Sequence, residues 1–284
     1  MISLQNNLKG KTAVITGGAG VLCSTFARGL AALGVKVAIL DLAEEPAYRL
    51  AKEIKEQGGE AIAIKCNVLN KEEVIKAKEE VLAIYGSYEL LINGAGGNHP
   101  KGTTNKEVLE FADLNNYDQE LITFFDLEEK GFEFVFNLNF MGTFIPTQVF
   151  AREMVGKSGA TIINISSMSA FAPMTKVPAY SAAKAAISNF TQWMAVHLAE
   201  VGIRVNAIAP GFFLTEQNRK LLQKEDGTPT ERCQKIISQT PMRRLGKPED
   251  LLGTLFWLCD EKASGFVTGV VIPVDGGFMA YSGV

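Results

Sequence analysis

Short apolar runs rich in Val and Ile alternate along the chain with longer stretches in which apolar positions recur every three or four residues. The short runs predict strands buried on both faces, and the longer stretches predict amphipathic helices. The predicted strands are 12–15, 36–40, 60–65, 90–93, 160–165, 203–208 and 270–274. The predicted helices are a segment ending near Leu33, then 47–57, 71–85, 132–157 and 180–201. Their alternation predicts an α/β fold of the Rossmann type, a doubly wound parallel sheet with helices on both faces.

The domain organisation follows from length and continuity. A chain of 284 residues has room for one or two domains, and no repeat, low-complexity tract or Pro/Ser linker divides this one. We therefore predict a single domain over 1–284. Two segments, 97–126 and 212–244, are long for connections within a compact domain. Long connections usually form binding loops or lids, so we expect a substrate loop at the first and a lid at the second.

Composition excludes several classes of function. The 28 basic and 31 acidic residues give a net charge of −3, which provides no basic patch for nucleic acid. Four cysteines without paired spacing and two histidines predict neither a disulfide framework nor a metal site. Reduced thiols, the polar N-terminus and the absence of a membrane-length apolar run predict a soluble cytoplasmic protein that does not bind membranes.

The strongest chemical signal is the pair Tyr180 and Lys184, preceded thirteen positions earlier by Ser167. Residues four apart in a helix share one face, so the ammonium would lie near the phenol and lower its pKa toward working pH. Such a phenol can exchange a proton with a carbonyl/alcohol pair. The same spacing also arises by chance from a buried Tyr and a surface Lys, so its meaning depends on the rest of the sequence.

A glycine-rich turn follows the first predicted strand. Gly17, Gly18 and Gly20 precede a helix, where glycines let backbone N–H groups approach a pyrophosphate. A simple strand–helix turn is the alternative. Asp41 ends the second strand, where its carboxylate would accept the ribose hydroxyls and repel a 2′-phosphate. This favours NAD(H) over NADP(H), although Asp41 alone would also suit a strand-end turn.

From Lys9 to Phe278 the sequence resembles the short-chain dehydrogenase/reductase family. The motifs occur in the family's order, namely Thr16-Gly17, Asn93-Gly94-Ala95-Gly96, Asn139, Ser167, Tyr180, Lys184, Pro210-Gly211 and Thr215. The resemblance implies a single doubly wound sheet, a homotetramer or dimer, and NAD(H) as the cofactor.

The resemblance also implies roles for individual residues. Tyr180 would be the acid–base group, Lys184 would hold the nicotinamide ribose, and Ser167 would polarise the substrate carbonyl. Asn139 would position Lys184 through a water, and Thr215 would meet the nicotinamide carboxamide. The implied cofactor-binding residues are Thr16, Gly17, Gly18, Gly20, Val21, Leu22, Asp41, Asn67, Val68, Asn93, Gly94, Ala95, Gly96, Tyr180, Lys184, Pro210, Gly211, Phe213 and Thr215.

Several positions differ from the family pattern. Val21 and Cys23 stand where the family has glycines, so the start of the helix must tolerate larger side chains near the phosphates. Gly94 replaces the second Asn of the usual Asn-Asn-Ala-Gly. Asn67 replaces the usual Asp, and its carbonyl oxygen could still accept a hydrogen bond from the adenine amino group.

Two segments, 16–23 and 93–103, resemble more narrowly a subgroup of this family, the D-mannonate oxidoreductases, also called D-fructuronate reductases. This implies reduction of the sugar acid D-fructuronate to D-mannonate with NADH. Asn98, His99 and Lys101 follow the fourth strand, at the ligand-binding edge of the sheet. We expect them to bind the substrate together with Ser167 and Tyr180, and His99 or Lys101 to recognise its carboxylate. A merely solvated loop is the alternative.

Other functions stay open at this point. The substrate could be another polyol or sugar acid, as in a gluconate 5-dehydrogenase. A non-catalytic dinucleotide-binding regulator is less favoured, because such proteins often lose the tyrosine or lysine that this sequence retains. An epimerase or dehydratase usually needs a larger substrate domain than the C-terminal remainder offers.

Overall fold

Seven strands form one parallel sheet in the computed structural model, which describes residues 7–115 and 120–283. The strands are β1 Thr12–Thr16, β2 Lys36–Asp41, β3 Ala61–Lys65, β4 Leu90–Asn93, β5 Thr161–Ile165, β6 Arg204–Pro210 and β7 Val271–Val274. Each matches a predicted strand to within two residues at either end. The strand order is β3-β2-β1-β4-β5-β6-β7, so the sheet winds in opposite directions from β1 and β4. The crevice between these two strands is where such sheets bind ligands.

Helices cover both faces of the sheet. They are α1 Val21–Ala32, α2 Glu44–Glu56, α3 Lys71–Tyr85, α4 Glu129–Phe136, α5 Gly142–Phe150, α6 Pro178–His197, α7 Glu216–Leu222, α8 Glu231–Gln239, α9 Leu252–Cys259 and α10 Glu261–Ser264. Helices α1, α2 and α9 pack on one face, and α3, α5 and α6 pack on the other. The fold class predicted from the sequence is therefore confirmed. No helix within 7–115 and 120–283 has both the length and the hydrophobicity needed to cross a membrane.

A hydrophobic core lies on each face of the sheet, and successive side chains of a strand contribute to the two cores in alternation. On β1, Ala13 and Ile15 join the core under α1, whereas Val14 joins the opposite core. Successive side chains of a strand point to opposite faces, so a sheet covered on both sides needs apolar residues at every position. This explains why the strands appear in the sequence as continuous apolar runs.

The predicted long helix at 132–157 is interrupted. A π-helical turn, Asn137–Met141, separates α4 from α5, and a 3₁₀ turn at Ala151–Met154 ends the run. A π turn accommodates one extra residue within a helix, and such turns are frequent at functional sites. Asn139 lies in this turn and is completely buried.

The two long connections have partial structure of their own. The segment 97–126 contains short 3₁₀ turns, among them Pro100–Gly102 and Phe124–Asp126. The segment 212–244 contains α7 and α8, which were not predicted. A small separate core of Leu222, Cys233 and Ile236 holds these two helices together.

Candidate active site

A cavity of about 660 Å³ opens at the carboxyl edge of the sheet. Its walls come from the residues that follow the strands: the glycine turn after β1, Asp41 at the end of β2, Gly94 after β4, Ser167 after β5 and Pro210 at the end of β6. Parallel strands all end at this edge, so the topology brings together residues that are far apart in the sequence.

Three of the four predicted catalytic side chains, Ser167, Tyr180 and Lys184, line this cavity. Helix α6 carries Tyr180 and Lys184 one turn apart, and the Ser167 hydroxyl lies close enough to Tyr180 to affect the pKa of its phenol. The Ser167 hydroxyl also accepts a hydrogen bond of 3.2 Å from the Ser169 N–H, which fixes its direction. A proton donor and a second hydroxyl therefore point at one place in the cavity.

The electrostatics of Tyr180 differ from the sequence expectation. Burial raises the pKa of Tyr180, and its hydrogen bond with Ser167 opposes that rise. The expected lowering by Lys184 is not seen, because the ammonium is itself desolvated and lies 5.5 Å from the centre of the tyrosine ring. Burial lowers the pKa of Lys184 to about 8, and its Nζ donates a 2.7 Å hydrogen bond to the carbonyl of Ile165.

Asn139 lies behind the cavity wall. Its Nδ2 donates to the carbonyls of Gly97 and Val135, both at 2.7 Å, and its Oδ1 accepts from the Gly97 N–H at 3.2 Å. A Cβ on Gly96 would lie 2.5 Å from Asn139 Oδ1 and 3.4 Å from Lys184 Nζ, so both side chains adjoin the same backbone position. The role of Asn139 in positioning Lys184 through a water stays a prediction.

The turn after β1 has the shape that a dinucleotide needs. Gly17 adopts a φ of +61°, and a Cβ there would lie 2.7 Å from the Cα of Ala95. The hydroxyl of Thr16 accepts hydrogen bonds from the N–H groups of Gly94, at 3.2 Å, and Ala95, at 3.3 Å. The two turns are thus held together, and their exposed backbone can meet phosphate oxygens closely.

Asp41 connects two loops at one end of the cavity. Its two carboxylate oxygens accept 2.9 Å hydrogen bonds from the N–H groups of Ala19 and Ala43. The carboxylate therefore joins the glycine turn to the loop after β2 while it still lines the cavity. This position fits recognition of ribose hydroxyls, which donate to carboxylates.

Most of the predicted cofactor-binding residues line the cavity. Besides Tyr180 and Lys184, these are Gly17, Gly20, Val21, Leu22, Asp41, Asn67, Val68, Gly94, Ala95, Gly96, Pro210, Gly211, Phe213 and Thr215. Asn67 uses its carbonyl oxygen locally, because Oδ1 accepts a 3.0 Å hydrogen bond from the Leu69 N–H.

Thr16, Gly18 and Asn93 do not line the cavity, and their contact with the cofactor stays a prediction. Asn93 is buried beneath the site, where its Nδ2 donates to Thr147 at 2.8 Å and to Asn164 at 2.9 Å. These contacts tie β4 to α5 and β5. The polar side chain therefore stabilises the framework under the site.

The predicted substrate residues are divided by the structure. Asn98 lines the cavity, and its Nδ2 donates to the Thr103 hydroxyl at 2.9 Å. His99 and Lys101 lie outside the cavity wall. The His99 Nδ1 accepts from the Lys101 N–H at 3.2 Å, and the Lys101 ammonium is 2.9 Å from the Glu128 carboxylate. Both side chains are thus committed to local contacts.

Several lining residues had no signal in the sequence. They occupy the end of the cavity away from Asp41, and they are Met174, Val177, Phe212, Leu221, Leu222, Arg232 and Ile236. Most belong to the segment 212–244, whose helices were not predicted. The contact between α7 and α8 brings Leu222 and Ile236 together, and spacing along the sequence does not reveal it.

The fold and this cavity match a known family. A sequence model of the short chain dehydrogenase family matches residues 11–226. The chain belongs to the short-chain dehydrogenase family. The resemblance stated from the motifs is therefore confirmed, and the protein is an oxidoreductase of this family.

Three proteins are similar to this short-chain dehydrogenase over nearly its whole length. The uncharacterized oxidoreductase UxuB of Bacillus subtilis is 60% identical over 284 residues, which is 100% of both chains. A crystal structure from Haemophilus influenzae, provisionally named a D-mannonate oxidoreductase and containing NAD, has a TM-score of 0.93 at 55% identity. The match covers 98% of each chain. The 5-keto-D-gluconate 5-reductase of Escherichia coli is 31% identical over 275 residues, 96% of this chain and 97% of its own.

Proposed function

We propose that this protein is an NAD(H)-dependent oxidoreductase that interconverts a keto-sugar acid and its hydroxy acid, with D-fructuronate and D-mannonate as the pair. One observation carries the proposal. Ser167, Tyr180 and Lys184 line a cavity that also holds a dinucleotide-type glycine turn. A proton-transfer group beside a cofactor site is what reversible hydride transfer to a ketone requires.

The cofactor is NAD(H). Asp41 places a carboxylate at the ribose end of the cavity, where a 2′-phosphate would meet a like charge. A relative with 55% identity was crystallised with NAD. When bound, NADH supplies the hydride, and the side chains of the protein handle the proton.

The three catalytic side chains divide the remaining work. Tyr180 donates its phenolic proton to the alkoxide that forms as the ketone is reduced. Ser167, hydrogen-bonded to Tyr180, donates to the same oxygen and fixes the pose of the carbonyl. Lys184 is held by the Ile165 carbonyl on the same wall, where its ammonium would hold the nicotinamide ribose. In the oxidative direction Tyr180 accepts the proton.

Two similarities support a sugar acid as the substrate. The structure provisionally named a D-mannonate oxidoreductase shares 55% of the sequence, and the 5-keto-D-gluconate 5-reductase shares 31%. The Asn98 amide in the cavity wall is suited to bind a substrate hydroxyl. The second similarity keeps 5-keto-D-gluconate as the alternative substrate.

The proposal is tested by following NADH absorbance with a panel of D-fructuronate, D-tagaturonate, 5-keto-D-gluconate and the neutral ketose D-fructose. We expect the highest kcat/KM with D-fructuronate, and with D-mannonate in the oxidative direction with NAD. A higher kcat/KM with 5-keto-D-gluconate would replace the assigned substrate. Reduction of D-fructose as efficient as that of the acids would reject a sugar-acid substrate altogether.

The family resemblance further leads us to propose a homotetramer in the cytoplasm, with 97–126 as the substrate loop and 212–244 as the lid. Sedimentation equilibrium of the full-length protein tests the subunit number. A monomer at micromolar concentration would contradict it.

A further inference from the structure

The end of the cavity remote from Asp41 is mainly apolar. Met174, Val177, Phe212, Leu222 and Ile236 contribute to this wall. A sugar acid bound with its ketone at Tyr180 must place its carboxylate in this direction or into solvent, because the cofactor fills the space toward Asp41. A carboxylate that binds against this apolar wall without a partner would be strongly unfavourable. Binding in that direction therefore needs a cation.

Among the described residues of the cavity wall, Lys184 and Arg232 are the basic ones. Lys184 is buried beside the reacting carbonyl and donates to Ile165. Among the side chains that the structure describes, Arg232 makes no ion pair, and Glu107, whose carboxylate it influences, is paired with Lys235. Its guanidinium is therefore the cation left for a ligand at the remote end.

The position of Arg232 is fixed by the start of α8. Thr230 caps this helix, since its hydroxyl accepts from the Cys233 N–H at 3.2 Å and donates to the Leu221 carbonyl at 2.8 Å. Arg232 is in the first turn of α8, so the positive end of the helix dipole adds to its charge. The cap and the small core together hold this turn against the cavity.

The surroundings of Arg232 are also electropositive. Glu107, on the segment 97–126, lies 2.5 Å from the Lys235 ammonium. Its pKa is lowered mainly by the hydrogen bond with Lys235 and further by the charges of Lys176 and Arg232. Three cations from two segments thus gather near Glu107, and even with Glu231 beside Arg232 the cluster carries a net positive charge. In a protein with a net charge of −3, this concentration is local.

We propose that Arg232 binds the carboxylate of the substrate, an inference that rests on the proposed function. A guanidinium presents a planar pair of N–H donors that matches a carboxylate, which makes arginine well suited to this recognition. D-fructuronate and 5-keto-D-gluconate both carry the carboxylate several hydroxyl-bearing carbons from the ketone, so the two groups can contact different residues of the cavity wall.

The test compares Arg232→Met and Arg232→Lys with Lys52→Met, a control that removes an exposed ion pair to Glu56 outside the cavity wall. We expect Arg232→Met to raise KM for D-fructuronate by about 10- to 100-fold, because a charge-assisted pair is lost. The KM for NADH and the KM for the neutral ketose D-fructose should stay within about twofold of wild type, and Arg232→Lys should recover part of the loss. Lys52→Met should leave all these values unchanged.

Each contrary outcome has a distinct meaning. An unchanged KM for D-fructuronate in Arg232→Met, with an active wild type, would overturn the inference and leave the proposed function intact. Equal increases in KM for the acid and for D-fructose would show a structural role and also overturn it. A wild type that reduces neutral ketones but no keto acid would reject the proposed function and the Arg232 assignment together.

Discussion

The sulfur of Cys23 occupies the space that a side chain at position 94 would need. A Cβ built on Gly94 would overlap Cys23 Sγ and lie 3.0 Å from the Thr16 carbonyl. Cys23 is buried on α1, and Gly94 follows β4, so the contact joins helix to strand beneath the dinucleotide turn. The sequence departs from the family pattern at both positions, with Cys23 for Gly and Gly94 for Asn. The smaller residue at position 94 therefore makes room for the larger one at position 23.

We predict that Gly94→Ala destabilises the fold by about 1–3 kcal/mol, because overpacking of a tight site forces neighbours to move. Adding Cys23→Gly should recover part of that loss. Urea unfolding of the two single variants and the double variant measures their coupling free energy, expected at about 1 kcal/mol or more. Gly253→Ala is the matched control, since a Cβ there meets nothing within 4 Å. If the effects of the two substitutions on the free energy of unfolding were additive, the two positions would not compensate each other in volume.

Tyr180→Phe should lower kcat by about 100- to 10,000-fold, which is the usual contribution of a positioned general acid. The ring remains, so NADH binding measured by fluorescence titration should change little. Retention of more than about a tenth of wild-type kcat would reject Tyr180 as the proton donor. Ser167→Ala should lower kcat less, because Tyr180 would still supply the proton.

Lys184→Met should raise stability at neutral pH while it abolishes activity. Burial lowers the pKa of Lys184 from 10.5 to about 8, so the unfolded state binds a proton that the folded state binds less readily. Below pH 8 this difference in proton binding lowers the free energy of unfolding by its full amount, and the loss disappears as the pH rises toward 10.5. We expect Lys184→Met to be more stable than wild type by about 1 kcal/mol or more at pH 7, since one pKa unit corresponds to about 1.4 kcal/mol.

The measurement is urea unfolding of both proteins across this pH range. The stability difference between them should shrink as the pH rises through the window, because wild-type Lys184 becomes neutral in both states. A difference that is independent of pH would mean that the variant acts through packing alone.

Asp41 should decide the choice of cofactor. We predict that wild type prefers NADH over NADPH by about 100-fold or more in kcat/KM, since a like-charge contact costs several kcal/mol. Asp41→Ala should narrow this preference mainly by raising KM for NADH. Because Asp41 also holds the N–H groups of Ala19 and Ala43, kcat with NADH should be compared in the same assay. Equal kcat/KM for the two cofactors in wild type would refute the assignment.

The sequence predicts those features that depend on neighbouring residues. The strands are continuous apolar runs, and Tyr180 and Lys184 share a helix face, so both follow from local pattern. Helix α9 was missed because Leu252–Cys259 is nearly all apolar and shows no helical period. Arg232 and the contact of Cys23 with Gly94 depend on segments that meet only in the folded protein, and no spacing reveals such contacts.

The double hydrogen bond between Asn139 and Gly97 sets where the segment 97–126 can flex. Both the N–H and the C=O of Gly97 are bonded to one buried amide. Rotating either adjacent peptide would break these bonds and cost about 1–3 kcal/mol for each buried group left unpaired. Any hinge for the segment must therefore lie beyond Gly97, and the backbone beside Lys184 stays rigid. Hydrogen exchange at the Gly97 amide should accordingly be as slow as in the central strands.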